Sequence, residues 1–463
     1  MPKGTFDTSR AKELTFSELI KIFKHNRCNE IYLKELAPND NSKNQPYFGA
    51  HLTDIPFIPT DELESSISKS KKTSNLKRKI KYQAKIKLLW LDAEGKHYPA
   101  PHSKLIYYPQ YPEIRFSGFL KGSSVDASYW MDPKKEGRSR GRWLILGIQD
   151  TGNVLAYLVT PNCNLSSELS KRKFTEITSV FKVVQNSTPK ANTSNKELLL
   201  AELKAIHEKG WIQGQRIYPS GKVLPYSALN GGGYTLEAEL GISPNGIAEP
   251  DYLGWEIKQY GVTRFPRIGA KPTTLLTPEP NGGIYNTEGV IAFMTKYGYK
   301  DKSGIKDRFN FGGKHIIGVP NKTTKLTMLL DGFDKDKNEI TNPDGKIMLV
   351  KGRKNVASWS FPKILNHWKT KHSKTVFIPC LRRSSSDGKY QYQFGNQVQM
   401  GTGTDFLLLL NSLTNGSVYY DPGIKLENAS SKPKVKRRNQ FRILHRKINN
   451  LYNTFEDIDV QKY

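Results

Sequence analysis

Three side chains in one short passage have the types and spacing needed for metal-assisted phosphoryl chemistry. They are Asp251, Glu256 and Lys258, within GGGYTLEAELGISPNGIAEPDYLGWEIKQYG at 231–261. Read as a strand, Trp255-Glu256-Ile257-Lys258-Gln259 puts Glu256 and Lys258 on one face and Trp255 and Ile257 on the other. The apolar face can enter a core and leave a carboxylate beside an ammonium. Pro250-Asp251, just upstream, can bring a second carboxylate to the same sheet. Two carboxylates are hard oxygen ligands of the kind Mg²⁺ takes. Such an ion polarises a phosphoryl oxygen and lowers the pKa of a bound water. A lysine beside it can orient or deprotonate that water, or offset the charge that develops on the phosphorus. Glu237, on the helical stretch Tyr234 to Leu240, is a further carboxylate candidate.

Spacing alone does not select this site. An acidic residue, any residue, then lysine occurs six times, at Glu94, Asp132, Glu202, Asp344, Asp387 and Glu256. Glu202 falls on an amphipathic helix, where a solvated face explains it. Asp132, Asp344 and Asp387 fall in Pro- or Gly-containing turns, and Glu94 in an Asp-Ala-Glu-Gly turn. Only Glu256 combines apolar alternation with a preceding Pro-Asp. A structural salt bridge is the competing reading.

The elements around this passage follow from periodicity. Residues 1–163 read as one α+β domain. Phe16, Leu19, Ile20 and Phe23 keep helical spacing after Thr15 as N-cap. Strands are expected at Tyr82 to Leu91, Lys104 to Tyr108, Ile114 to Phe119, Trp143 to Ile148 and Val154 to Val159. Residues 164–195, rich in Ser, Thr, Asn and Lys, read as a linker with one mixed helical stretch near Phe174 to Val184. From 196 to 463 a second domain begins with a helix, Lys196 to Lys209, stopped by Gly210, and then alternates strands with Gly- and Pro-rich loops.

Composition narrows the partner. The 463 residues carry a formal charge of +28, which suits a polyanion because each cation that meets a phosphate releases a condensed counterion. Lys69 to Lys87 holds nine basic residues and no acidic one, and Lys432 to Ile448 holds eight and none. Both suit a DNA-facing surface or a plain solvated one. Arg138, Arg140 and Arg142, spaced by two, could line one strand face against phosphates. Arg382 and Arg383 follow the apolar Val376-Phe377-Ile378 and suit bidentate guanine readout, although surface arginines are common. Cys28, Cys163 and Cys380 are too few and scattered for a disulfide framework or a zinc site. The N-terminus has no apolar signal segment, and the longest apolar run, Phe406 to Leu410, is too short to span a bilayer. A soluble cytoplasmic protein is expected. Gly231 to Gly233 is no phosphate-binding loop, because no Gly-Lys-Ser/Thr follows, and the glycines suit a sharp turn or close approach to DNA. His315, His367 and His372 lack metal-ligand spacing and read as ordinary satisfied histidines.

The order Gly-Tyr-Thr-Leu-Glu237, Leu240-Gly241-Ile242, Pro250-Asp251 and Trp255-Glu256-Ile257-Lys258 resembles the MvaI/BcnI family of restriction endonucleases. These are relatives of the MutH mismatch-repair nickase within the PD-(D/E)xK superfamily. The likeness continues through Tyr420-Asp421-Pro422-Gly423-Ile424-Lys425 and the basic Lys436-Arg437-Arg438-Asn439-Gln440-Phe441-Arg442. The resemblance implies an α/β restriction-endonuclease-like catalytic domain with a central mixed β-sheet at 196–463. It implies Asp251 and Glu256 as metal ligands, Lys258 as the catalytic lysine, and Glu237 as the family's upstream glutamate. Gln259 departs from the pattern, where threonine is commoner. Lys436, Arg437, Arg438 and Arg442 become candidates for DNA contact beside Arg382 and Arg383. The implied protein is a Mg²⁺-dependent monomer that cuts duplex DNA one strand at a time, with a cognate DNA methyltransferase encoded nearby. Residues 1–163 look like the extension on long family members, suited to a DNA-binding or effector role. A MutH-like repair nickase and a non-catalytic DNA-binding regulator are the alternatives.

Overall fold

Thr15 closes the start of the helix Phe16–His25 through a reciprocal capping box with Glu18, and Phe16, Leu19 and Phe23 form its buried stripe. The structure, a computed structural model, describes residues 4–38, 45–68, 79–184, 194–218, 220–242 and 252–463. It divides into two compact units, Met1–Lys190 and Ala191–Tyr463.

The first unit is built on two sheets. A seven-stranded sheet runs in the order Thr175–Glu176, Lys182–Val183, Cys28–Glu35, Trp143–Gln149, Val154–Val159, Leu88–Leu91 and His97–Ala100. A five-stranded sheet runs Tyr47–Gly49, Glu113–Ser117, Lys104–Tyr108, Ile80–Lys85 and Glu64–Ile67. The single strand expected over Tyr82 to Leu91 is therefore two strands in different sheets. A tight turn at Ile86, whose carbonyl accepts from Leu88 N–H at 3.0 Å, redirects the chain between them.

Residues 164–184 belong to this unit rather than to a linker. The helix Asn164–Lys171 buries Leu165 and Leu169, and the expected helix near Phe174 to Val184 is instead two short strands. Lys182–Val183 pairs with Tyr32 and Leu33. Phe181 is fully buried against Phe48 and Phe57. The sparse apolar residues that mimic a weak helix are anchors for a sheet edge. Arg142 corrects a second expectation. It is only 1% exposed, and it donates to the carbonyls of Ser139, Trp130 and Ala37. Arg138 and Arg140 stay exposed, so the three do not share a phosphate-facing surface.

In the second unit, helix α1 (Asn195–Glu208) starts at a capping box between Ser194 and Glu197. Short strands β1 (Ile212–Gln213), β2 (Gln215–Ile217) and β3 (Val223–Pro225) lead to helix α2 (Gly231–Glu239). The principal sheet then uses β4 (Glu256–Gly261), β5 (Lys374–Ser384), β6 (Tyr390–Phe394), β7 (Gln397–Thr402) and β8 (Thr454–Asp459). The long β5 is its spine. β4 runs parallel to it, while β6 and β7 pair with its two halves antiparallel. Cys380 opposes Phe394 and Phe377 opposes Gln399, so β6 and β7 act as one strand bulged at residues 395–396. The sheet is mixed, and the unit is an α/β body with several smaller sheets around it.

One face of this sheet makes the core. Ile257, Val376, Ile378, Tyr392, Phe394, Val398 and Met400 pack against Leu199, Leu203 and Ile206 of α1 and Leu236 of α2. Among the described residues no helix is long and apolar enough to cross a membrane.

Candidate active site

With Ile257 committed to the core, the period of two turns Glu256, Lys258 and Tyr260 to the opposite face of β4. Lys258 Nζ donates to Glu256 Oε1 at 2.7 Å. Glu256 is only 3% exposed, and its Oε2 has no hydrogen-bond partner among the described residues. A carboxylate rarely accepts such burial with one oxygen unmatched, because desolvation is not repaid. The unpartnered oxygen is a hard donor, and its chemistry fits a divalent cation. Among the described residues no three His, Cys, Asp or Glu side chains converge, and Asp251 lies outside them.

The remaining triplets do not reproduce this arrangement. Asp387 and Lys389, for example, form a 2.9 Å pair with both side chains about half exposed in a turn. Burial separates the two cases. A solvated pair has nothing to offer a substrate that water does not.

Around Glu256 the same sheet face is closed by residues that spacing could not identify. Thr375 is its register partner on β5, and the hydroxyl of buried Tyr452 donates to Thr375 Oγ1 at 2.9 Å. Tyr260 stacks on His445 with ring centroids 3.4 Å apart. His445 bonds Gln399 Oε1 at 2.8 Å and Thr273 Oγ1 at 3.0 Å. Only Tyr260 had a local signal, as the next same-face position after Lys258. The others reach the site from distant parts of the chain.

Burial lowers the pKa of His445 from 6.5 to about 4, and does the same for His315, which bonds Thr324 Oγ1 at 2.8 Å. Unfolded, each binds a proton near 6.5, whereas folded it does so only near 4. Their contribution to stability is thus complete above pH 6.5 and is lost as pH falls through about 4. The thermal midpoint should decline from about pH 6.5 downward, and less steeply for His445→Gln. A midpoint flat to pH 4, or an unchanged slope in the variant, would refute this. His372 is a satisfied histidine, as expected, whereas His315 Nδ1 has no hydrogen-bond partner among the described residues. His372 Nε2 donates to the Leu275 carbonyl at 3.0 Å.

Glu237 sits half-buried on α2, the helix laid against β4. The glycines that open α2 explain that fit. A Cβ on Gly231 would come within 2.7 Å of Tyr392 Oη, and one on Gly232 within 3.3 Å of Gln259 Cδ. They do not make a turn ahead of the helix but are its first turn, and their missing side chains let it lie flush on the sheet. Gln259, where the sequence departs from the family pattern, fills part of that contact.

The cationic candidates separate into exposed and engaged groups. Arg382 and Arg383 remain inside β5, paired opposite Tyr392 and Gln391. Arg382 donates to the Leu229 carbonyl at 3.1 Å, and Arg383 stacks 4.3 Å from the Trp211 ring. Arg437 and Arg438 are exposed, while Lys436 pairs with Glu427 at 3.0 Å. Arg442 donates to Asp421 Oδ2 at 2.8 Å and to the Pro272 carbonyl at 3.0 Å. Its guanidinium fastens the closing segment.

No curated protein matches the chain. Among solved structures, the chain is similar to a restriction endonuclease MvaI–cognate DNA substrate complex, at 19% identity over 58% of this chain and 99% of that one, with a TM-score of 0.43. It is also similar to restriction endonuclease MvaI in the absence of DNA, at 17% identity over 58% and 100%, with a TM-score of 0.30. The MvaI/BcnI restriction endonuclease family model matches residues 200–452, the span that contains Glu237, Glu256, Lys258 and the basic closing segment. More than half of the sequence is covered by that match, and the chain belongs to the MvaI/BcnI restriction endonuclease family, whose members are type II site-specific deoxyribonucleases.

Proposed function

We propose that this chain is a Mg²⁺-dependent type II restriction endonuclease that hydrolyses phosphodiester bonds of double-stranded DNA at a short sequence, one strand at a time. The observation that carries the reading is the buried Glu256, with the Lys258 ammonium on one oxygen and the other left open. Asp251 and Glu256 would hold the cation, and Glu237 would add a carboxylate from α2. When bound, that cation supplies Lewis-acid polarisation of the scissile phosphate. Lys258, which donates to Glu256 at 2.7 Å, would orient the attacking water or offset charge on the phosphoryl oxygens. Arg382, Arg383, Lys436, Arg437, Arg438 and Arg442 would line the DNA path. The PD-(D/E)xK fold of the second unit, a DNA-binding or effector role for residues 1–163, a monomeric state, a cytoplasmic setting and a cognate methyltransferase complete the proposal.

The test is cleavage of phage-sized DNA by the purified chain with Mg²⁺ and with a chelator. Discrete fragments with Mg²⁺ and none with chelator are expected, and nicked circles should precede linear product. Uncut DNA with every divalent cation tried would sink the reading. Linear product without a nicked precursor would remove the strand-by-strand part.

A further inference from the structure

The β2–β3 hairpin and the turn after it expose apolar side chains in a group. Val223 and Leu224 are 46% and 47% exposed, and Leu229, at 61%, is the most exposed large apolar side chain among the described residues. All three residues of β3 face solvent. A scattered exposed leucine needs no explanation, but three within seven residues do.

The hairpin's root is firmly held. Gln215 N–H donates to Thr235 Oγ1 at 3.2 Å, and Thr235 Oγ1 donates to the Gly231 carbonyl at 2.9 Å, which ties β2 to α2. The Arg216 guanidinium lies 4.4 Å from the Tyr234 ring and 5.3 Å from the Tyr218 ring. Arg382 anchors the Leu229 carbonyl from β5. Since α2 packs on β4, the hairpin is fixed to the helix that covers the Ile257 face of the strand carrying Glu256 and Lys258.

Its chemistry selects the partner. Residues 215–230 contain two cations, Arg216 and Lys222, and no acidic residue, and Arg382 and Arg383 border them. Arg216 opposes Leu224 across the hairpin, so cation and apolar side chain alternate on one small surface. A polyanion that also offers flat apolar area fits this pattern, and duplex DNA has both. Val, Leu and Pro carry no side-chain donor or acceptor, so they cannot read the hydrogen-bond pattern of base edges. What such side chains do in DNA is press into a base step from the minor groove while arginines hold the flanking phosphates.

We propose that the β2–β3 hairpin is a DNA wedge: Val223 and Leu224 unstack a base step in the minor groove beside the cut, and Arg216, Lys222, Arg382 and Arg383 clamp the adjoining backbone. This rests on the endonuclease reading of the site but is tested apart from it.

The experiment uses the full chain without divalent cation, so that binding is seen alone, on short duplexes tiled from the DNA of the cleavage assay. Each duplex carries the fluorescent base 2-aminopurine at successive positions. Binding should raise the fluorescence several-fold at one step. V223S/L224S should remove that rise and weaken binding roughly tenfold, with an unchanged thermal midpoint because both side chains are already half exposed. V223S/L224M should restore the signal. Equal affinity and equal fluorescence in V223S/L224S would overturn the proposal, whether or not the parent cleaves. So would a sedimentation shift from dimer to monomer in V223S/L224S with DNA binding unchanged, since the surface would then serve a second copy. If the parent cleaves nothing while V223S/L224S loses both signals, the wedge stands and the endonuclease reading falls.

Discussion

Glu256→Gln should lower DNA cleavage at least about a thousandfold while leaving the fold intact. The two side chains have the same shape, so the buried position on β4 is filled as before, and the amide oxygen can still accept from Lys258. What is lost is the negative charge, and with it the hard donor that Oε2 presents to a cation. The effect therefore belongs to chemistry and not to stability. Single-turnover cleavage of supercoiled plasmid measures the first, and the thermal midpoint measures the second. Cleavage within tenfold of the parent would remove Glu256 from the mechanism. Lys258→Met separates the two roles differently. Among the described residues it removes the one hydrogen-bond partner of Glu256 Oε1 and leaves both oxygens of a 3% exposed carboxylate unmatched. A stability loss of about 1–3 kcal/mol should accompany its loss of cleavage.

The largest loss of stability is expected at Trp359. It is fully buried on the strand Lys354–Ser360, and its Nε1 donates to the Pro278 carbonyl at 2.9 Å. Its ring meets Tyr420 edge-on at 4.8 Å and Phe441 at 5.2 Å. Trp359→Ala opens a cavity there, leaves the Pro278 carbonyl without its donor and removes both aromatic contacts. The cost should be about 3–5 kcal/mol, a large part of what a domain of this size has. The consequence reaches the closing segment. Tyr420 holds Asn439, Asn439 Nδ2 donates to Glu279 at 2.8 Å, and Phe441 lies beside Arg442. DNA affinity should therefore weaken along with stability, although Trp359 is nowhere exposed. Urea denaturation gives the stability and duplex binding gives the affinity. A change below about 1 kcal/mol would mean that the cluster relaxes around the gap. Trp359→Phe should fall between, because it keeps the ring contacts and loses the hydrogen bond.

The sequence by itself was sufficient for what is local. Alternation in Trp255-Glu256-Ile257-Lys258 was enough to put the carboxylate and the lysine on one face, because a strand has a period of two wherever it is placed. The cap at Thr15 follows from side-chain reach over three residues. The family, too, is a property of ordered motifs. Other decisions were made only by the tertiary structure, since burial and pairing depend on what the rest of the chain brings to a point. The spacing of Arg138, Arg140 and Arg142 says nothing about which guanidinium turns inward, and Arg142 does, in exchange for carbonyl acceptors from distant segments, while Arg442 is held half-buried by Asp421 and the Pro272 carbonyl. Phe174 to Val184 has too few apolar residues to choose between helix and strand, and the open edge at Tyr32 and Leu33 chooses strand. The glycines at 231–233 acquire their meaning from the Tyr392 and Gln259 side chains beneath them. Thr375 meets Glu256 across β4 and β5 because a parallel pair joins strands far apart in the chain, and the segment 445–452 brings Tyr452 to Thr375 and His445 to Tyr260; no local pattern encodes such neighbours.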